Sequence, residues 1–216
     1  MTGTLIVNNL AGVMMITSLL VIGVKRPAAA CGFYALQSLM LVGIFITLAE
    51  TLNAHELLSW SISAFITKVV MVPLIMGYAF RKLSDPSANA GIISPALLMV
   101  AAAVIVLLAW FVVEPVQVPL VTELKPALAV SLGHFLLGLL CIVTQRNILK
   151  QIFGYCLMEN GSHLTLALLA NRAPELVEIG IATDAIFAVI VMAVLARKIY
   201  HTLNTLNVDQ LTALKG

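Results

Sequence analysis

The sequence predicts an all-α integral membrane protein of about seven transmembrane helices. Two observations carry that expectation. First, 61% of the residues are hydrophobic and only 10% are charged, with a mean hydropathy of +1.06. A soluble globular domain has about a quarter of its residues charged, so this chain cannot cover a water-facing surface. Second, apolar stretches of spanning length recur along the whole chain. About 20 apolar residues, rising 1.5 Å each, cross roughly 30 Å of hydrocarbon. The 216 residues therefore hold six to eight helices and little else. No soluble catalytic or cofactor-binding domain fits, so any redox chemistry the protein serves must sit on other subunits.

The spans follow in order, each ended where charge or proline cannot continue in lipid. Leu5–Val24 stops at Lys25-Arg26-Pro27. No basic segment precedes it and no small-residue cleavage signature follows, so it reads as a retained first span. Ala29–Ala49 and Leu57–Phe80 follow, the latter closed by Arg81-Lys82 and Asp85-Pro86. Pro73 is a mid-span proline five residues after Lys68, and is expected to kink the third span and free carbonyls near that lysine. Ile93–Val113 ends at Glu114-Pro115, and Ala127–Thr144 starts after Lys125-Pro126 and ends at Gln145-Arg146-Asn147. Ile148–Ala170 is closed by Arg172 to Glu175 with Pro174, and Leu176–Ala196 by Arg197-Lys198. Trp60 and Trp110 fall near span ends, as interfacial indoles do.

Basic residues set the expected orientation. Nine of the twelve Lys and Arg lie on one set of alternate connections or the C-terminal tail: Lys25, Arg26, Arg81, Lys82, Arg146, Lys150, Arg197, Lys198 and Lys215. The other set holds Lys125 and Arg172, and Lys68 is inside a span. The positive-inside rule then puts Met1 outside and Gly216 in the cytoplasm.

An internal repeat is also expected. Tyr34-Ala35-Leu36 echoes Tyr155-Cys156-Leu157. Ile66-Thr67-Lys68, Met76 and Arg81-Lys82 echo Ala182-Thr183-Asp184, Met192 and Arg197-Lys198 at a constant offset of 116. Residues 1–83 would form one three-helix unit, 93–113 a connecting helix and 127–216 a second unit, running parallel within a single membrane domain.

A charge at the bilayer centre costs about 2.5 kcal/mol or more, so an ionisable residue there is a functional candidate. Glu159, Asp184 and Lys68 meet that test, each near the middle of its span. His163 lies four residues after Glu159 and Tyr155 four before it, so the three share a helical face as a polar stripe. His134 is a further candidate in the fifth span. Buried carboxylates and lysines have protonation equilibria that neighbouring charge can switch, which suits proton handling. The alternative is that Lys68 and Asp184 neutralise each other, or pair with a neighbouring subunit, and lock helices together. For His134 and His163 taken separately, an interhelical hydrogen bond is the simpler account. Glu50 and Glu56, and Glu175 and Glu178, are accounted for by solvation at span ends. Cys31, Cys141 and Cys156 lie in apolar stretches without metal-ligand spacing and read as small buried residues. The net charge of +2 and the lack of a basic, aromatic-interleaved face exclude nucleic acid as a partner. Spans without paired Gly/Pro breaks argue against a self-sufficient transporter.

The segments Arg146-Asn147-Ile148-Leu149, Gly154-Tyr155-Cys156-Leu157-Met158-Glu159-Asn160, Ala182-Thr183-Asp184-Ala185 and Leu206-Asn207-Val208-Asp209 resemble the small three-helix subunit of respiratory complex I, known as K or 4L. The C subunit of multisubunit sodium/proton antiporters is its relative. With the extra N-terminal spans, the whole chain resembles the component E family of hydrogenase-4. The resemblance implies a non-catalytic membrane subunit of a formate hydrogenlyase-type complex that anchors the complex and contributes a proton path. It also implies antiporter-like membrane subunits as partners. A nickel–iron (NiFe) centre and iron–sulfur clusters would be carried by partner subunits, with no cofactor in this chain. Asp184 stands where the complex I subunit has a membrane glutamate. The other family glutamate aligns with Cys156, and Glu159 lies about one turn on along nearly the same face. Two other readings are a pure scaffold and a sodium/proton antiporter subunit without redox partners.

Overall fold

In hydrocarbon no water satisfies backbone N–H and C=O groups, so each apolar stretch must close its hydrogen bonds within itself as a helix. The computed structural model follows this rule and describes residues 2–83, 85, 93–116 and 119–211. Pro86, Lys215 and the terminal Met1 and Gly216 lie outside the described residues. The helices are α1 (Thr2–Gly23), α2 (Pro27–Leu52), α3 (Glu56–Ala64), α4 (Val72–Lys82), α5 (Pro95–Val113), α6 (Lys125–Thr144), α7 (Ile148–Leu169), α8 (Glu175–Leu203) and the short α9 (Val208–Leu211). A π-helical stretch, Phe65–Met71, joins α3 to α4 as one rod, and a 3-10 segment, Pro119–Leu124, leads into α6. Local chemistry marks the ends. Pro27 and Pro95 open α2 and α5, and the Ser94 hydroxyl accepts from Leu97 N–H. Asn53 and Asn204, in the left-handed region at φ 51° and 53°, close α2 and α8.

Six of these rods are long and apolar enough to cross a membrane: Thr2–Gly23, Ala28–Leu52, Glu56–Lys82, Pro95–Val113, Thr122–Thr144 and Leu176–Leu203. This differs from the expected seven. The remaining helix, α7, has 22 residues but carries Lys150, Gln151, Glu159, Asn160, Ser162 and His163. Lys150, Asn160 and His163 are buried within the protein. The most polar helix is thus the one best shielded by its neighbours, whereas α5 and α8 turn long rows of apolar side chains outward.

The connections rich in basic residues gather at one end of the bundle. There Lys150 Nζ donates to Val24 O at 2.6 Å and Gln145 Nε2 to Ile22 O at 3.3 Å. The segment after α8 docks on the α6–α7 connection through an antiparallel bridge between Asn147 and Asn207 and an Arg146–Asp209 ion pair at 2.7 Å. Asp85 accepts from Leu206 N–H at 2.8 Å and from the Thr205 hydroxyl at 3.1 Å. At the opposite end Asn8 donates to Glu123 O and accepts from Ala127 N–H, and Lys125 Nζ donates to Glu114 O.

Helices α6 and α7 pack closest, through glycines. A Cβ at Gly138 would lie 2.5 Å from Met158 N, and one at Gly161 would lie 2.6 Å from Phe135 N. Such contacts with backbone atoms cannot be relieved by a rotamer change. Small residues at this interface let the backbones approach, which is how membrane helices gain dispersion contact without a hydrophobic driving force. The third span departs from a simple proline kink. Val72 N–H reaches back five residues to Thr67 O, so the wider π turn beside Pro73 absorbs the lost hydrogen bond. Lys68 sits in that π stretch.

Gly161→Ala and Gly138→Ala should each cost about 1–3 kcal/mol, the range for overpacking a close contact. Gly77→Ala, where nothing lies within 4 Å of the added methyl, should be near neutral. Thermal unfolding of the detergent-solubilised chain compares them directly.

Candidate functional site

Two apolar cores lie along the bundle. One contains Ile22, Tyr34, Val72, Leu137 and Leu157, and the other Met14, Leu41, Ala64, Leu128 and Leu164. On five spans the residues between these cores are polar and buried: Ser18 on α1, Gln37 and Ser38 on α2, Lys68 on the π stretch, His134 on α6 and Asn160 on α7. They form a belt across the middle of the protein.

At its centre Lys68, with a fully buried side chain, donates to Glu159 Oε1 at 2.5 Å and to Asn160 Oδ1 at 3.1 Å. Asn160 Nδ2 in turn donates to Ser38 Oγ at 3.3 Å. The neighbouring residue on α2, Gln37, bonds His134 Nε2 and donates to Ser18 Oγ at 3.3 Å. The Ser18 hydroxyl donates to Met14 O at 2.8 Å, so its oxygen accepts from His134 Nδ1, also at 2.8 Å. That pattern selects the Nδ1–H tautomer and leaves Nε2 to accept from the Gln37 amide. The Gln37-Ser38 dipeptide thus joins a histidine network to a lysine–carboxylate network.

A second pair extends from α7. His163 Nε2 meets Glu178 Oε2 at 2.6 Å with both side chains buried, and the imidazole packs against both Phe45 and Trp60, at centroid distances of 4.8 and 5.6 Å, rings that also touch each other at 6.2 Å. Lys68 and Glu159 are near enough for their charges to act on His163. Tyr155 is half-buried, within electrostatic reach of both Glu159 and Asp184. Cys156 is buried within reach of Glu159 and Lys68. Among the described residues, no group of three His, Cys, Asp or Glu side chains is arranged to hold a metal ion.

The structure therefore brings Lys68, Glu159, His134 and His163 into or against one buried polar system, and both histidines make interhelical bonds. One alternative falls and two expectations change. The pairing of Lys68 with Asp184 is not made, because the π turn aims the lysine at α7, while Asp184 lies on the exposed face of α8. Glu178 is not solvated at a span end but buried against His163. Glu178, Ala182, Ala185 and Val189 follow one another at helical spacing on the buried face of α8. Trp60 is a buried core side chain rather than an interfacial indole. Ser18, Gln37, Ser38 and Asn160 escaped notice because a search for charges passes over neutral amides and hydroxyls.

Breaking a buried ion pair by removing one partner leaves an uncompensated charge, whereas removing both together need not. Lys68→Met should cost about 3–5 kcal/mol, and the double variant Lys68→Met/Glu159→Leu should recover most of it. Denaturation midpoints of the two variants and the wild type test the coupling. Equal losses in single and double variants would rule it out.

Residues 126–216 match the family model for NADH-ubiquinone/plastoquinone oxidoreductase chain 4L. The chain is 68% identical over all 216 residues to hydrogenase-4 component E of Escherichia coli K12, covering the full length of both, and equally to that of Shigella flexneri. An uncharacterised protein of Mycobacterium tuberculosis is 22% identical over 218 residues, covering 98% of this chain and 97% of its own. No solved structure matches. A full-length identity of this size, on a bundle of apolar helices enclosing a polar belt, establishes that the chain belongs to the hydrogenase-4 component E family, membrane subunits of a hydrogenase complex.

Proposed function

We propose that this subunit anchors a formate hydrogenlyase-type complex in the bacterial inner membrane and contributes a proton path through its polar belt. The observation that carries this reading is the mid-span Lys68–Glu159 ion pair, extended through Asn160 and Ser38. A proton arriving at Glu159 turns the carboxylate into a neutral acid and leaves the Lys68 cation with only the Asn160 oxygen. An ammonium drawn away by movement of charge elsewhere in the complex would free the carboxylate to accept a proton, and its return would favour the proton's release. Tyr155 is half-buried within electrostatic reach of both Glu159 and Asp184, so its hydroxyl is a further candidate station.

The exposed face of Asp184 favours a second role for that residue. A carboxylate there faces lipid unless a neighbour covers it, and antiporter-like subunits supply such neighbours. The scaffold reading is thus favoured at α8 while the relay reading is favoured at α7. On the positive-inside rule the basic end faces the cytoplasm, with the N-terminus outside. The NiFe centre and iron–sulfur clusters then belong to partner subunits on that side.

Glu159→Gln and Asp184→Asn in the assembled complex separate these roles. We expect Glu159→Gln to leave the subunits together and reduce formate-linked proton uptake by roughly tenfold or more. Asp184→Asn should loosen a membrane partner on purification if it is a contact, or slow proton uptake in an intact complex if it is a station. Wild-type proton uptake in both intact variants would end the relay proposal, and absence of nickel from the purified complex would favour the antiporter alternative.

A further inference from the structure

A cleft of about 330 Å³ runs between α4 and α8 at the basic end of the bundle. Its wall is apolar, with Ile75 from α4 and Ala193 from α8, and its mouth carries Lys82, Arg197 and His201. Tyr78 lines the same cleft, with Lys82 Nζ 6.0 Å from its ring centroid. Lys82, Arg197 and His201 are exposed, and among the described residues none of them makes an ion pair. Asp85, just beyond α4 in the chain, accepts from Leu206 N–H and the Thr205 hydroxyl.

We propose that this cleft is a binding site for an anionic phospholipid. Its phosphate would sit among Lys82, Arg197 and His201, and the upper part of an acyl chain would lie against Ile75 and Ala193. Snorkelling alone would explain basic side chains at helix ends, but not a concave apolar wall directly beneath three unpaired basic side chains. Basic pockets between membrane helices are where acidic headgroups are recognised. The volume is at the small end of ligand pockets, about 300–1,000 Å³, and suits a headgroup and the first part of one chain rather than a whole lipid. The depth agrees, since Lys82 ends α4 and Arg197 lies in the last two turns of α8, where a helix leaves hydrocarbon for headgroups. The proposal is independent of any proton path through the belt.

Native mass spectrometry of the full chain in detergent, titrated separately with phosphatidylglycerol, phosphatidylcholine and inorganic phosphate, tests it. We expect phosphatidylglycerol to be retained at least roughly tenfold better than phosphatidylcholine, with phosphate alone failing to compete. Lys82→Ala/Arg197→Ala/His201→Ala should abolish that preference, and Lys82→Arg/Arg197→Lys should keep it. Ala193→Phe, which fills the cleft without altering charge, should reduce retention and thereby distinguish the groove from the rim. Equal retention of the two lipids, or a preference that survives the triple alanine variant, would overturn the site. Competition by free phosphate would assign it to a soluble anion instead of a lipid, and unchanged binding in Ala193→Phe would overturn the groove.

Discussion

An ammonium group held in the middle of a membrane bundle must be met by a counter-charge and by further acceptors, because nothing in hydrocarbon will do so. Burial of Lys68 imposes that demand here, and much of the architecture answers it. Glu159 supplies the charge, Asn160 the second acceptor, and Ser38 anchors Asn160 from across the interface. All three belong to helices that must therefore sit side by side. The helix that carries two of them is too polar to face lipid, which explains why α7 is enclosed. The two apolar cores lie on either side of this layer, each closed by the large buried side chains that water-free packing requires.

Geometry makes the enclosure possible. The glycines of α6 and α7 bring two backbones into near contact, so α7 is held by dispersion and by Thr165–Ser131 and Cys141–Lys150 hydrogen bonds rather than by a broad apolar stripe. On the opposite flank, the π stretch before Pro73 rotates the following residues relative to an α-helix and sets Lys68 toward α7. A wider turn at a functional candidate is a recurring use of π geometry. At the basic end, the segment after α8 is stitched to the α6–α7 connection and to Asp85, so the loops that define the belt's helices are tied to each other.

The outer faces are built on another principle. Helices α5 and α8 show lipid-like side chains almost throughout, so the exposed Asp184 on α8 is at odds with its surroundings. One carboxylate, Glu159, is paired within the chain, and the other, Asp184, lies exposed among apolar side chains. From its place on α7 Glu159 reaches the lysine of the third span, while Cys156, one turn before it, packs in the apolar core that holds Tyr34.

Apolar length and stop signals settled from sequence alone that this is a helical membrane bundle, and most helix ends to within a few residues, although α8 runs on to Leu203, past the expected stop at Arg197-Lys198. Those are local consequences of transfer energy and backbone satisfaction, so they are written in runs of adjacent residues. The same reasoning singled out Lys68, Glu159, Asp184, His134 and His163, because a charge or imidazole within a span has no cheap local explanation. Their partners were decided only by tertiary structure. Whether Lys68 meets Glu159 or Asp184 depends on a π turn that no residue type encodes unambiguously, and Glu178 and Trp60 were misplaced because burial near a span end is a property of the neighbouring helices. The neutral members of the belt, Ser18, Gln37, Ser38 and Asn160, are unremarkable one by one and become a network only when five helices set them at one depth. Residue chemistry determined what had to be satisfied, and packing determined by whom.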